Sequence, residues 1–255
     1  MRTIVVTGSA SGIGAAIRTA LESEGARVIG VDLRGAEVTA DLATEAGRAA
    51  MMSGVERACS GRLDGVVACA GVGPHVGDPA LIVSVNYFGA RASLAELRPA
   101  LARGERPAAV AISSNSSTMP NAEGPLAEAC LADDEIEARR AAAATDPVSA
   151  YAGSKRALTR WLRRQAPGPD WAGAGIRLNA IAAGAVRTPL LEGGLADPIL
   201  GRAIEAFPIP LGGYAVPEQI AATVRFLLSP DASFCCGSVL FVDGGTDALL
   251  RPDQY

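Results

Sequence analysis

Short, almost unbroken apolar runs alternate along this chain with longer segments in which apolar residues recur every three or four positions. The runs are Thr3 to Thr7, Arg27 to Asp32, Gly65 to Ala70, Ala108 to Ser113, Ile176 to Ile181 and Val239 to Val242. Few polar residues interrupt them, as expected of strands covered on both faces; a strand with one wet face would alternate. Between the runs, Ile13, Ile17 and Leu21, then Leu94, Leu97 and Leu101, then Ile220, Val224 and Leu227 form stripes of helical period. This alternation predicts one α/β domain over residues 1–255. Its core is a Rossmann-type, doubly wound parallel sheet with helices on both faces, joined by right-handed crossovers. Ligands of such sheets bind at the carboxyl ends of the strands.

Two stretches break the alternation. Residues 115–148 form an insertion between one strand and the next helix, studded with acidic residues and with Pro125 well suited to a helix start. They read as a subunit-interface element or as a wall of the substrate site. Residues 187–214 read as a Gly- and Pro-rich substrate loop that carries, among other apolar residues, Leu190, Leu195, Ile199, Phe207 and Leu211.

Composition narrows the function classes. The chain has 255 residues, 49% hydrophobic and 20% charged, with a net charge of −4. That suits a globular protein with a large core and offers neither nucleic acid nor an anionic membrane a basic surface. The first apolar run is too short for a signal peptide, and no stretch approaches the ~18 apolar residues of a membrane span. The expected compartment is the cytoplasm. Five cysteines, Cys59, Cys69, Cys130, Cys235 and Cys236, lack metal-ligand spacing and read as thiols in or near the core. The only histidine, His75, removes His-based triads and most zinc sites, so no metal is expected.

Thr7 to Gly14 reads TGSASGIG, directly after the first strand and opening the first helix. Gly8 allows the tight turn, Gly12 lets backbone approach a pyrophosphate, and Gly14 lets helix pack on strand; the helix N-terminus turns free N–H groups toward phosphate. Ser9 and Ser11 add hydroxyl donors. Asp32 ends the second strand, eighteen residues beyond Gly14. A carboxylate there accepts hydrogen bonds from the ribose hydroxyls of NAD and repels the 2′-phosphate of NADP, although Arg34 nearby is a counter-signal. Asp41-Leu42 falls after the third strand, where adenine should sit; Asp41 or Thr44 also reads as a helix cap.

Tyr151 and Lys155 are spaced to share one helix face, where an ammonium beside a phenol would lower the phenol pKa from ~10 toward working pH. Such a tyrosine exchanges a proton with a carbonyl or alcohol oxygen, and Ser114 can hydrogen-bond the same oxygen. Lys155 is the only lysine among 23 basic residues, which points to a chemical demand for a compact ammonium.

Taken together, Thr7-Gly8-x-x-x-Gly12-Ile13-Gly14, Ala70-Gly71, Asn86, Ser114, Tyr151-x-x-x-Lys155, Asn179, Val186-x-Thr188 and Asp243-Gly244-Gly245 resemble the short-chain dehydrogenase/reductase family along nearly the whole chain. The resemblance implies that Tyr151 is the general acid/base, Ser114 orients the substrate oxygen, and Lys155 binds the nicotinamide ribose. It implies that Asn86 holds a water linking Lys155 to solvent, and that Val186 and Thr188 fix the nicotinamide carboxamide. Ile13, Leu33, Ala70 and Gly71 belong to the implied NAD site. Two departures stand out. Ala68-Cys69-Ala70-Gly71 replaces the family's Asn-Asn-Ala-Gly, so a contact stiffening the sheet centre is lost or replaced; and Ala183-Gly184 replaces Pro-Gly, freeing that loop.

The 37-residue gap between Ser114 and Tyr151, the run VSVNYFGA and the tail LLRPDQY resemble the bacterial 3α-hydroxysteroid dehydrogenase/carbonyl reductases within that family. The expected function is NAD-dependent interconversion of a secondary alcohol and a ketone on a bulky apolar substrate such as a steroid, by a homo-oligomer, dimer or tetramer. The alternatives are another apolar alcohol or carbonyl, for instance a terpenoid, and a non-catalytic NAD-binding regulator.

Overall fold

A computed structural model describes residues 1–254. From the N-terminus come β1 (Thr3–Thr7), α1 (Gly12–Ser23), β2 (Arg27–Asp32), β3 (Val38–Thr39), α2 (Glu45–Cys59) and β4 (Gly65–Ala68). Next are α3 (Pro79–Val83), a π-helical turn (Ser84–Gly89), α4 (Ala90–Ala95), α5 (Arg98–Leu101) and β5 (Ala108–Ser114). The remainder is α6 (Pro125–Leu131), α7 (Glu135–Ala143), α8 (Pro147–Gln165), β6 (Arg177–Ala183), α9 (Pro189–Ala196), α10 (Leu200–Ala206), α11 (Pro217–Leu228), β7 (Val239–Val242) and α12 (Thr246–Leu250).

The seven strands form one parallel sheet, ordered β3-β2-β1-β4-β5-β6-β7. The order reverses at β1, so the crevice expected for a ligand lies at the carboxyl ends of β1 and β4. Successive side chains of each strand enter opposite layers. Val5, Ile29, Val66 and Ala109 pack with Met51, Leu94, Leu158 and Leu162 of the layer that holds α2, α4 and α8. Ile4, Val28, Val67 and Val110 pack with Ile17, Leu21, Ile220 and Val224 of α1 and α11.

The predicted strands stand with shifted ends: β5 gains Ser114, and β6 begins at Arg177 and runs to Ala183. β4 stops at Ala68, because Thr7 Oγ1 accepts from the N–H groups of Cys69 and Ala70 at 3.0 and 3.1 Å. This hydroxyl supplies a cross-strand contact at the sheet centre, where the Asn-to-Cys departure predicted a loss or a replacement. Leu94, Leu97 and Leu101 are all buried, but the helix breaks at Leu97, where Pro99 opens α5.

Residues 187–214 are not simply a loop. They hold α9, capped by Thr188 with Pro189 in its first turn, and α10, whose start is held by Asp197 accepting from Ile199 N and Leu200 N. The 115–148 insertion folds largely as α6 and α7, which pack on α8 and α3 and bury Leu126, Cys130, Ala138 and Ala142. Arg48 pairs with Glu135 at 2.5 Å, tying α7 to the strand-β3 side. All five cysteines are free thiols, and Cys236 is exposed rather than in or near the core.

Thr7→Val should destabilise the protein by about 2–4 kcal/mol, because two partly buried N–H groups lose their shared acceptor without change of shape. Thr7→Ser should keep most of that stability. Urea unfolding measures both; a valine variant within about 0.5 kcal/mol of wild type would refute the bridge.

Candidate active site

The glycine loop runs from the end of β1 into α1 with left-handed turns at Gly8 (φ 69°) and Gly12 (φ 51°). A Cβ on Gly8 would stand 2.8 Å from Ala70 Cα, one on Gly12 would stand 3.1 Å from Thr188 Cγ2, and one on Gly14 would collide with the Gly8 carbonyl oxygen. All three positions therefore exclude a side chain. Ser11 precedes α1 in extended geometry, and its side chain makes no capping bond. The first N–H groups of α1 have no intrahelical acceptor, so the cradle suits a phosphate. Ser9 is only 3% exposed, and its hydroxyl has no partner.

Asp32 stands beside this cradle. Its Oδ2 accepts from Ala10 N at 2.9 Å and its Oδ1 from Leu33 N at 2.7 Å. Leu33 is 64% exposed. Asp41 does not cap α2: its Oδ1 accepts from Ala43 N, while Thr44 Oγ1 accepts from Gly47 N and is the cap. Leu42 is buried beneath the π-helical turn, where a Cβ on Gly89 would lie 2.9 Å from it.

Asp146 caps α8, accepting from Val148 N and Ser149 N, and this starts the helix that aims Tyr151 and Lys155 at the end of β5. Ser113 Oγ lies 2.8 Å from Thr159 Oγ1 and donates to Lys155 O, fastening helix to strand. Lys155 is 4% exposed; its Nζ donates to Ile112 O at 2.9 Å and lies 5.8 Å from the Tyr151 ring centroid. Burial pulls the ammonium down to about 8. Burial also pushes the Tyr151 phenol above its ordinary value, and a hydrogen bond with Ser114 offsets this only in part. The predicted lowering of the phenol is therefore not achieved by these side chains alone, since the ammonium is aimed at a carbonyl and desolvation dominates.

Ser114 Oγ accepts from Ser116 N at 3.1 Å, which bends the chain away after β5. Asn86 sits in the π-helical turn and grips the Val72 backbone both ways, at 2.8 and 2.9 Å. A Cβ on Gly71 would meet Asn86 Oδ1 at 3.1 Å and Lys155 Nζ at 3.6 Å, so Asn86 and Lys155 flank the same bare backbone. Asn179 is buried and bridges to Cys235 O and Ser238 N. Val186 pairs with Ala215, and Thr188 Oγ1 donates to Val186 O, while the Thr188 side chain stands opposite Gly12. Gly184 packs against Asp243, and its N–H donates to Val242 O.

Two groups in this region were not singled out from sequence. Thr118 donates to Asp247 Oδ1 at 2.8 Å, and Arg251 holds both Asp247 oxygens, latching the C-terminal helix to the turn after Ser114. Beneath Asp32, Arg18 pairs with Glu37. Thr118 with Asp247 and Arg18 with Glu37 join residues far apart in sequence and leave no local pattern; only Asp247 and Arg251 are i,i+4 neighbours. Among the described residues no three His, Cys, Asp or Glu side chains gather as metal ligands, and no helix is long and apolar enough to cross a membrane.

A family model described as short chain dehydrogenase matches residues 2–126, and one described as Enoyl-(Acyl carrier protein) reductase matches residues 135–247. The chain is 46% identical to a 3-alpha-hydroxysteroid dehydrogenase/carbonyl reductase of Comamonas testosteroni, covering 100% of both. It superposes with TM-score 0.97 and 49% identity on a 3-alpha-hydroxysteroid dehydrogenase from Pseudomonas sp. B-0831 complexed with NADH, covering 99% of this chain and 100% of that one. A coniferyl-alcohol dehydrogenase of a Pseudomonas strain is 31% identical, with 95% of each chain covered.

The buried ammonium has a consequence for stability. Below pH 8 Lys155 is charged in both the folded and the unfolded chain, so its desolvation penalty is fully present. Between about 8 and the ordinary lysine value near ~10.4, the unfolded chain binds the proton and the folded chain does not, so stability rises with pH there. Lys155→Met should then raise stability at pH 7 by roughly 1–3 kcal/mol, an advantage that shrinks by pH 9.5. Urea midpoints at the two pH values test this, and a variant less stable than wild type at pH 7 would contradict it.

Proposed function

The chain belongs to the short-chain dehydrogenase/reductase family and is an oxidoreductase, and we propose that within this family it is an NAD-dependent enzyme interconverting 3α-hydroxysteroids and 3-ketosteroids, with reduction of other bulky ketones and aldehydes as a companion activity. The observation that carries the substrate class is the 46% identity over the full length of both chains with the Comamonas enzyme. The cradle at Gly8, Gly12 and Gly14, which a Cβ would fill, together with the unpartnered Ser9 hydroxyl, fits a dinucleotide pyrophosphate.

The residue roles assigned in this reading are those the family resemblance implies, and the geometry supports them. Ser9, Ser11, Gly12, Ile13 and Gly14 face the phosphates; Asp32 and Leu33 bound the adenosine ribose; Asp41 and Leu42 bound the adenine. Ala70 and Gly71 form the bare backbone floor, and Val186 and Thr188 face the carboxamide. NAD supplies the hydride acceptor, and NADH the donor. Tyr151 gives its proton to the substrate oxygen during reduction and takes it back during oxidation, while Ser114 holds that oxygen. The Lys155 charge stabilises the phenolate against burial, and Asn86, across Gly71 from it, holds the water that passes the proton outward. The half-buried Leu190, Leu195 and Phe207 and the exposed Ile199 and Leu211 suit a wide apolar substrate. The likeness to a coniferyl-alcohol dehydrogenase supports a second reading, an aromatic or terpenoid alcohol.

The proposal includes a homodimer. The ion-paired insertion covers α3 and α8, whereas β7 is an open sheet edge and Phe226, Phe234 and Phe241 are exposed. Sedimentation showing only a monomer would reject it. It also places the protein in the cytoplasm, where free thiols stay reduced.

Following NADH absorbance over a panel should show turnover of 3α-hydroxysteroids and little of sugars or short hydroxy acids. Tyr151→Phe should lower kcat by ~10²–10⁴-fold while NADH still binds. Activity confined to small polar alcohols would reject the substrate class, and a phenylalanine variant within a few-fold of wild type would reject the tyrosine's role.

A further inference from the structure

Strand β3 is only two residues long and pairs with Val31 and Asp32, so it ends short of Gly30 on the neighbouring strand. The Gly30 N–H is satisfied instead by a side chain: Glu37 Oε2 accepts from it at 2.9 Å. The same carboxylate is gripped from α1 by Arg18, whose Nη1 lies 3.0 Å from Oε2 and whose Nη2 lies 2.5 Å from Oε1. Arg18 Nε is in turn held by Glu22 at 2.9 Å. Gly30 leaves room for this cluster: a Cβ there would lie 2.5 Å from Ser9 Oγ, 2.7 Å from Glu37 Oε2 and 3.0 Å from Arg18 Nη1. Side chains two apart on a strand share a face and stand roughly 7 Å apart. The Arg18–Glu37 pair and the Ser9 hydroxyl therefore lie one step beneath Asp32, on its own face.

Resting on the NAD reading above, we infer that the Arg18–Glu37 pair is a second determinant of the choice between NAD and NADP. Asp32 discriminates because its negative charge repels a 2′-phosphate. That repulsion is effective only if no free cation stands below it, and Arg18 is such a cation within one strand step. Glu37 cancels it through two hydrogen bonds and keeps the guanidinium turned under the sheet edge. Arg34, on the loop between Asp32 and Glu37, is exposed and makes no ion pair among the described residues. Arg34 is free to swing into solvent, which screens it, whereas the Arg18–Glu37 pair, with side chains 26% and 42% exposed, is fixed in place by Gly30 N and Glu22. A unit charge at this distance, at the effective dielectric of a protein surface, changes the affinity for a phosphate by about tenfold.

The test is a cycle of variants with two readouts: calorimetric dissociation constants for NAD and NADP on the enzyme without substrate, and kcat/KM for each cofactor. Glu37→Gln keeps an acceptor for Gly30 N and removes the charge, so the preference for NAD should fall about tenfold through tighter NADP binding. Arg18→Gln should raise the preference. The Arg18→Gln/Glu37→Gln double variant removes both charges and should return it to within a few-fold of wild type. If the single and double variants weaken both cofactors alike, the pair only holds the loop in place and the inference is overturned. Asp32→Ala in the same assays separates the two levels. If Asp32→Ala narrows the preference and Glu37→Gln does not, the Arg18–Glu37 inference alone fails; if neither changes it, the NAD assignment fails with it.

Discussion

Lys155 is buried where it stands, and the proposed chemistry needs it charged. Burial and charge oppose each other, and much of the surrounding structure manages the conflict. The ammonium is given one hydrogen-bond acceptor, Ile112 O, near the end of strand β5. Helix α8 is then held to β5 through Ser113 and Thr159, so that the carbonyl and the ammonium stay in register. The neighbouring thiol of Cys69 is pushed up to about 12 by the same dry surroundings, so it stays neutral and offers no counter-ion. The protein keeps its one lysine in a place that costs folding free energy, which is how functional sites commonly differ from the rest of a fold.

A second constraint is closeness of backbone. At Gly8, Gly14 and Gly184 the main chain of one segment lies against the main chain of another with no space for a methyl group, and at Gly71 a methyl would press on the Asn86 side chain. These positions gather at the carboxyl edge of the sheet, where β1, β4 and β6 end together. The cleft is therefore shaped by bare backbone, and the side chains that carry chemistry project across it from α8, β5 and the π-helical turn. Thr7 belongs to this edge as well, because its hydroxyl organises the chain where β4 stops.

The strands and the motif positions were legible in the sequence because buried parallel strands and glycine loops leave local, periodic marks. The thin elements were not. The 187–214 stretch looked like a loop because its glycines and prolines outweighed its apolar spacing; the capping pairs Thr188-Pro189 and Asp197-Pro198, which do announce helices, are the signal that was passed over. Asp41 and Thr44 are equal cap candidates in the sequence, and only the geometry selects Thr44, three residues before Gly47. The Tyr151 phenol was expected to be lowered by Lys155. Spacing alone shows that two side chains share a face, but not that one of them points to a strand carbonyl while burial controls the other. Arg18 with Glu37, and Thr118 with Asp247, join residues 19 and 129 positions apart and have no signature along the chain.

The latch of Thr118, Asp247 and Arg251 orders events in time. A ribosome releases the chain from its N-terminus, so the glycine loop, β1 and β2 are out first and can begin to pair early. The turn that follows Ser114 emerges midway, yet the carboxylate that holds it is among the final ten residues of the described chain. A chain interrupted before Asp247 would thus carry all seven strands with the segment beside Ser114 unfastened. The segment beside Ser114 is therefore fastened only after all seven strands that surround it have been made.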